Sequence, residues 1–145
     1  MLVNYSKPEK FKKLIDNIKS VNTLSELFAS HRVKEVIEEL DAAGEFLASK
    51  MRVKTNQVRK IFDKLKNIEA KLKMGKLNRE ELKSEVLMLK PALAYVVARQ
   101  PRNLAPLADL LFPAIEKVQD EKDFYALVRF LEAIVAYHKF HGGKD

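Results

Sequence analysis

The 145-residue sequence contains no cysteine and no tryptophan, and only four glycines and five prolines. Without cysteine there is neither a disulfide framework nor a thiolate metal site, and nothing favours an oxidising compartment. Scarce glycine and proline leave few turn signals, while Lys, Glu, Leu and Ala abound and apolar residues recur at helical spacing instead of alternating. No apolar run approaches the ~20 residues of a membrane helix, and the opening MLVNYSKPEKFKK lacks a signal peptide's hydrophobic region. The expectation is a cytoplasmic, all-α protein with no membrane partner: one helical domain over residues 1–145, built as a compact bundle of about five to seven helices. No fixed-period repeat or low-complexity segment suggests a solenoid or a disordered tail.

Start and stop signals divide the chain. Ser6-Lys7-Pro8-Glu9 reads as a capping box opening a helix from Pro8 to Ile18, and Thr23-Leu24-Ser25-Glu26 repeats the pattern ahead of a stretch reaching Met51. That stretch contains Gly44 and has a candidate break near His31. Thr55 is the expected cap of a third helix, which carries Val58, Ile61, Phe62, Leu65, Ile68 and Leu72 on one face and ends near Met74-Gly75. Asn78 caps a fourth that Pro91 should kink or split, and Pro101 ends that section. A fifth runs from Leu104 or Pro106 to Val118 with a kink at Pro113, and Asp120 caps a last helix reaching Phe140. Little of that last helix is polar, so neighbours should cover it before Gly142-Gly143 release the chain.

The net charge of +7 is uneven. Residues 1–49 hold 7 basic and 8 acidic side chains, residues 50–90 hold 13 and 5, and residues 91–145 hold 7 and 7. All the excess lies in the middle, where Lys50, Arg52, Lys54, Arg59, Lys60, Lys64, Lys66, Lys71, Lys73, Lys76 and Arg79 accompany the third helix. Such a stripe suits a phosphate backbone, bound with strong salt dependence and little base preference. The plainer alternative is a solvated helix face.

Within and beyond the stripe, the candidate contacts to a nucleic-acid backbone, which the resemblance described below makes RNA, are Lys54, Asn56, Gln57, Arg59, Lys60, Lys64, Arg99, Arg102 and Arg129. Asn56 and Gln57 could reach a phosphate or a 2′-hydroxyl, or simply order the helix start. Arg99 and Arg102 flank Pro101, where a guanidinium could project into a groove; Arg99 could instead pair with Asp109 or Glu116, and Arg129 with Glu132.

Catalytic and metal constellations are missing. Neither His138 nor His141 follows an Arg at the spacing of the helical ribonucleases' catalytic pair. The residues three before His31, His138 and His141 are Phe28, Val135 and His138, so no Glu-x-x-His pair exists for a bundle metal site. His138 and His141 alone are better suited to a helix C-terminus than to a metal. The expectation is no enzyme, no cofactor and no metal.

Three segments carry a resemblance: TNQVRKIF at Thr55–Phe62, LKPALAYVVARQ at Leu89–Gln100, and FLEAIVAYHKFHGGKD at Phe130–Asp145. In order and approximate spacing they are similar to the T-x-Q-[IV]-R-K, Y-x-x-x-R and EA-x-VAY…GGK segments of the small subunits of type III-A CRISPR-Cas effector (Csm) complexes. The resemblance covers Thr55–Asp145, Arg99 falls on the arginine of the second motif, and residues 1–51 carry no matching signature. It implies a non-catalytic subunit that stacks in several copies beside other effector subunits and holds guide RNA paired with target RNA through the backbone. A free-standing helical scaffold or DNA-binding protein, as a monomer or a homodimer, is the alternative, although no short glycine-containing turn supports a helix-turn-helix.

Overall fold

The computed structural model describes residues 6–145. Among them are seven α-helices and no strand: α1 (Glu9–Ser20), α2 (Val33–Glu45), α3 (Thr55–Lys73), α4 (Arg79–Leu87), α5 (Leu89–Arg99), α6 (Pro101–Glu116) and α7 (Glu121–Phe140). A 3₁₀ turn at Leu24–Phe28 precedes α2, and a wide π-type turn at Phe46–Lys50 follows it. No helix among the described residues is long and apolar enough to cross a membrane.

The apolar run of α7 makes it the central element, packed most extensively on α2 and also on α3 and the 3₁₀ turn. It buries Phe124, Leu127, Phe130, Leu131, Ile134 and His138, whereas Phe140 is 77% exposed, so the expected cover stops short of the helix end. Gly44 explains the close α2–α7 crossing: a Cβ there would stand 2.5 Å from Tyr137 Cβ. Asp120 caps α7 by accepting from the Asp123 amide at 3.0 Å. The buried Asp123 carboxylate in turn accepts from the amides of Ser25 and Gln119, each at 2.9 Å, and so pins the 3₁₀ turn to the start of α7.

Several helix starts depart from the sequence reading. Pro8 occupies the cap position of α1, so Ser6 forms no capping box and the helix runs to Ser20. The Thr23 pattern opens only the 3₁₀ turn, because the Thr23 hydroxyl meets the Glu26 side chain at 3.5 Å instead of a backbone amide, and α2 begins afresh at Val33. Lys54, not Thr55, is the cap of α3. Asn78 does cap α4, with the reciprocal bonds from the Glu81 amide at 2.8 Å and to Glu81 Oε1 at 2.9 Å. The break after α4 falls at Met88, which leaves Pro91 in the first turn of α5, where its missing N–H interrupts no helical bond. Pro101 begins α6 at the position proline prefers, so α6 starts earlier than expected and runs through both Pro106 and Pro113.

The tail after α7 closes the bundle. Gly142, at φ +87°, donates to the Lys139 carbonyl at 3.0 Å, and Gly143 donates to the His138 carbonyl at 2.9 Å, a glycine C-cap. His138 is fully buried, and its Nε2 donates to the Val53 carbonyl at 2.5 Å, since a carbonyl only accepts. Lys144 then accepts from the Thr55 amide at 2.8 Å, supplying the partner that a capping side chain would otherwise have provided. Arg52, on the same connection, holds φ at +53°, a left-handed conformation that a non-glycine residue adopts only when its surroundings enforce it.

One carboxyl group lies in the α1–α2 seam. Glu39 is 2% exposed; its Oε1 accepts from Asn17 Nδ2 at 2.7 Å and its Oε2 has no partner. Burial raises its pKa above the ordinary carboxyl value, with the Asn17 bond opposing the shift and Glu35 adding to it. A raised folded-state pKa favours the protonated form, so this contribution to stability is fully present below the unfolded pKa and lost as pH rises through the folded one.

Substitutions at the seam and at the tail should separate these effects. Glu39→Gln keeps an acceptor for Asn17 without the buried charge, so it should raise Tm at neutral pH and narrow the gain that the parent protein shows on mild acidification; equal Tm values for the two proteins at neutral pH would contradict this. Gly143→Ala places a Cβ 2.1 Å from His138 Cε1 and should destabilise by about 1–3 kcal/mol in urea unfolding.

Candidate nucleic-acid interface

The N-terminal end of α3 meets the C-terminal end of α5 across an open groove of about 240 Å³. Lys54, Asn56, Gln57 and Lys60 line it from α3 and its cap, while Tyr95, Val96, Arg99 and Gln100 line it from α5 and its end, with Leu104 also contributing. Three cations and no carboxylate face this space. The tail positions one wall, because the Thr55 amide is held by Lys144 and the preceding Val53 carbonyl by His138. Gln57 joins the walls: its Oε1 accepts from the Lys54 amide at 2.8 Å, and its Nε2 donates to the Gln100 side chain. Asn103 Nδ2 adds a longer hydrogen bond of 3.4 Å to the same Oε1. With the Thr55, Gln57 and Val58 amides already engaged, Asn56 presents its backbone N–H near the positive end of the helix dipole.

The helix is electrostatically unequal along its length. Residues 50–64 carry six cations against Asp63, and none of the six lies within ion-pair distance of a carboxylate among the described residues. Further along, Glu69 holds Lys66 at 2.5 Å and Lys73 at 3.7 Å, and Glu85 of α4 holds Lys71 at 2.7 Å. The hydrogen bond from Lys66 keeps the Glu69 carboxyl below its ordinary pKa despite partial burial, and the same bond raises that of Lys66. Arg79 turns its Nε to the Gln119 carbonyl at 3.1 Å. Lys50, Arg52 and Lys54 before α3, and Arg59, Lys60 and Lys64 in its first half, thus keep charge that no carboxylate offsets at ion-pair distance, whereas Lys66, Lys71 and Lys73 do not.

Of the nine candidates from the sequence, five meet in the groove: Lys54, Asn56, Gln57, Lys60 and Arg99. Gln57 is buried and its carboxamide serves the helix start and the wall junction. Arg99 makes neither of the ion pairs open to it, since Asp109 pairs with Lys7 at 3.5 Å and Glu116 with Lys90 at 2.6 Å. Arg59 and Lys64 are exposed on α3 outside the groove lining, and Arg102 is exposed on the first turn of α6. Arg129 is not with the others: it forms no ion pair with Glu132 and lines a separate depression with Lys122 and Glu26 beside the 3₁₀ turn.

Sequence reasoning missed Tyr95 and Gln100. Tyr95 is 67% exposed on the groove, and the Arg99 guanidinium lies 5.9 Å from its ring centre. The signal for it was one helical turn of spacing from Arg99. Gln100 gave none, because its role depends on meeting Gln57 across the fold. The two C-terminal histidines do not converge on a metal: His138 faces Val53, whereas His141 pairs with Asp41 and lies 3.8 Å from Glu45. No group of three His, Cys, Asp or Glu able to hold an ion occurs among the described residues.

Fold and groove together define a small all-helical protein whose open cationic surface offers phosphate-binding chemistry and, among the described residues, no assembled metal cluster. The family model described as Csm2 Type III-A matches residues 30–144, so the match takes in α2 as well as the three motifs. The chain belongs to this family, the small subunits of type III-A CRISPR-Cas effector complexes. It is also similar to "CRISPR system Cms protein Csm2" of Streptococcus thermophilus, with 30% identity over 109 residues, 74% of this chain and 84% of that protein. No solved structure matches the chain.

Proposed function

We propose that this chain is a non-catalytic, cytoplasmic assembly subunit that stacks in several copies within a type III-A effector and grips the guide RNA and target RNA through their phosphates. The observation that carries this reading is the groove in which Lys54, Lys60 and Arg99 converge with no carboxylate among them. Its charge is open to an incoming polyanion, whereas Lys66, Lys71 and Lys73 already have internal partners. Lys54 and Lys60 supply point charges, and the planar Arg99 guanidinium matches two phosphate oxygens at once. Asn56 adds neutral donors. Contacts of this kind follow the shape and charge of the backbone, so sequence would be read by pairing between the two RNA strands and not by protein side chains. Exposed Phe140 and the exposed pair Leu87 and Met88 provide apolar surface for neighbouring subunits or copies.

Neutralising the groove tests the reading. Lys54→Gln/Lys60→Gln/Arg99→Gln should weaken binding to single-stranded and duplex RNA and lower the slope of log affinity against log salt by about 0.7–0.9 for each phosphate that is no longer neutralised. Lys71→Gln/Lys73→Gln should change that slope much less, because those charges are paired within the chain. Equal effects from the two sets, or no effect from the first, would remove the groove as the RNA-binding surface. Unchanged circular dichroism in both variants separates this result from loss of fold.

A further inference from the structure

We infer that Tyr95 is a stacking platform for an unpaired nucleobase, so that the groove takes nucleic acid with an exposed base as well as a phosphate backbone. This rests on the backbone-binding reading above and adds a second class of contact to the same groove. Tyr95 stands 67% exposed at the C-terminal half of α5. Exposing so much of an aromatic ring forgoes the burial that a core tyrosine would gain. One turn further on, Arg99 holds its guanidinium 5.9 Å from the ring centre. This cation–π interaction restrains the ring over the groove and occupies one side of it, while the large exposure leaves the other side to solvent.

The surroundings point to the occupant. Lys54 and Lys60 stand on the facing wall, where they can hold the phosphates that flank a base resting on Tyr95. Asn56, exposed between them in the sequence, offers a carboxamide to a base edge or a ribose hydroxyl. A flat aromatic ring sharing a groove with cations is the arrangement by which single strands are held: base on ring, backbone on charge. A fully paired A-form helix keeps its base faces inside the stack and gives the ring nothing to cover. The chemistry therefore favours a single-stranded or looped-out nucleotide over continuous duplex at this position. Every base has a π face, so stacking adds affinity without sequence preference.

The test compares one RNA strand alone and paired with its complement, using the full chain and fluorescence anisotropy. Tyr95→Ala should weaken binding to the single strand by about tenfold, within the range for stacking one base on an aromatic side chain, and leave duplex binding nearly unchanged. Tyr95→Phe should restore single-strand binding, because the ring and not the hydroxyl acts. Tyr95→Trp places the only indole in a chain that has none, and its emission should be quenched by the single strand and not by the duplex. Equal losses on both RNAs, or no loss and no quenching, would overturn the stacking role. If the Lys54→Gln/Lys60→Gln/Arg99→Gln variant still weakens both RNAs in that case, the backbone reading survives alone; if it does not, both fail. Loss of self-association in Tyr95→Ala with RNA binding intact would assign the ring to a protein interface instead and likewise overturn the proposal.

Discussion

The buried imidazole of His138 is the constraint on which the rest of the molecule turns. It lies on the central helix, donates to the Val53 carbonyl, and is covered by Gly143 so closely that no side chain fits between them. One ring thus ties the exit of α2, the entry to α3 and the C-terminal tail into a single junction. The Lys144 carbonyl completes it on the Thr55 amide. The result fixes where α3 begins, and α3 in turn fixes Lys54, Asn56 and Lys60 as one wall of the groove. Such a junction is costly to perturb, because a buried polar ring that loses its partner keeps the desolvation penalty without the hydrogen bond. Arg52 holds its unfavourable backbone conformation within the same connection.

Charge composition alone would spread the candidate surface along the whole of α3. Geometry narrows it. Lysines at 66, 71 and 73 are matched to Glu69 and Glu85, so their net field is reduced before any ligand arrives. Those at 54 and 60 are not matched, and Arg99 joins them from a different helix because its candidate acids are engaged with Lys7 and Lys90. The groove is thus defined as much by where the carboxylates went as by where the cations are.

Much of this was legible in the sequence, and the reasons differ by element. The all-helical fold, the Asn78 and Asp120 caps and the stops at Gly75 and Gly142 rest on local rules, which need only neighbouring residues. Thr55 misled because the helix begins at Thr55 itself, with Lys54 in the extended cap position and the buried Thr55 hydroxyl making no capping bond. Pro106 was a candidate start and Pro113 a candidate kink of one helix; α6 begins at Pro101 and contains both, burying Leu104, Leu107, Leu110 and Leu111. The charges of Lys54, Lys60 and Arg99 could be read from the sequence; that they line one groove depends on the fold. Gln57 was offered for an RNA contact or for ordering the helix start; its carboxamide bonds the Lys54 amide and Gln100, and the second partner depends on the fold. Arg129 shared the charge of the other candidates and none of their location.

The unequal neutralisation of α3 has a kinetic consequence. A long polyanion near the molecule meets cations without carboxylate partners at the start of the helix and charges partly cancelled by Glu69 and Glu85 further along. If the groove holds RNA as proposed, encounter complexes formed elsewhere on the surface would be drawn toward the α3–α5 junction before any hydrogen bond is made. Copies of the chain set side by side would present such funnels at intervals, and a strand captured at one would be biased toward the same approach at the next.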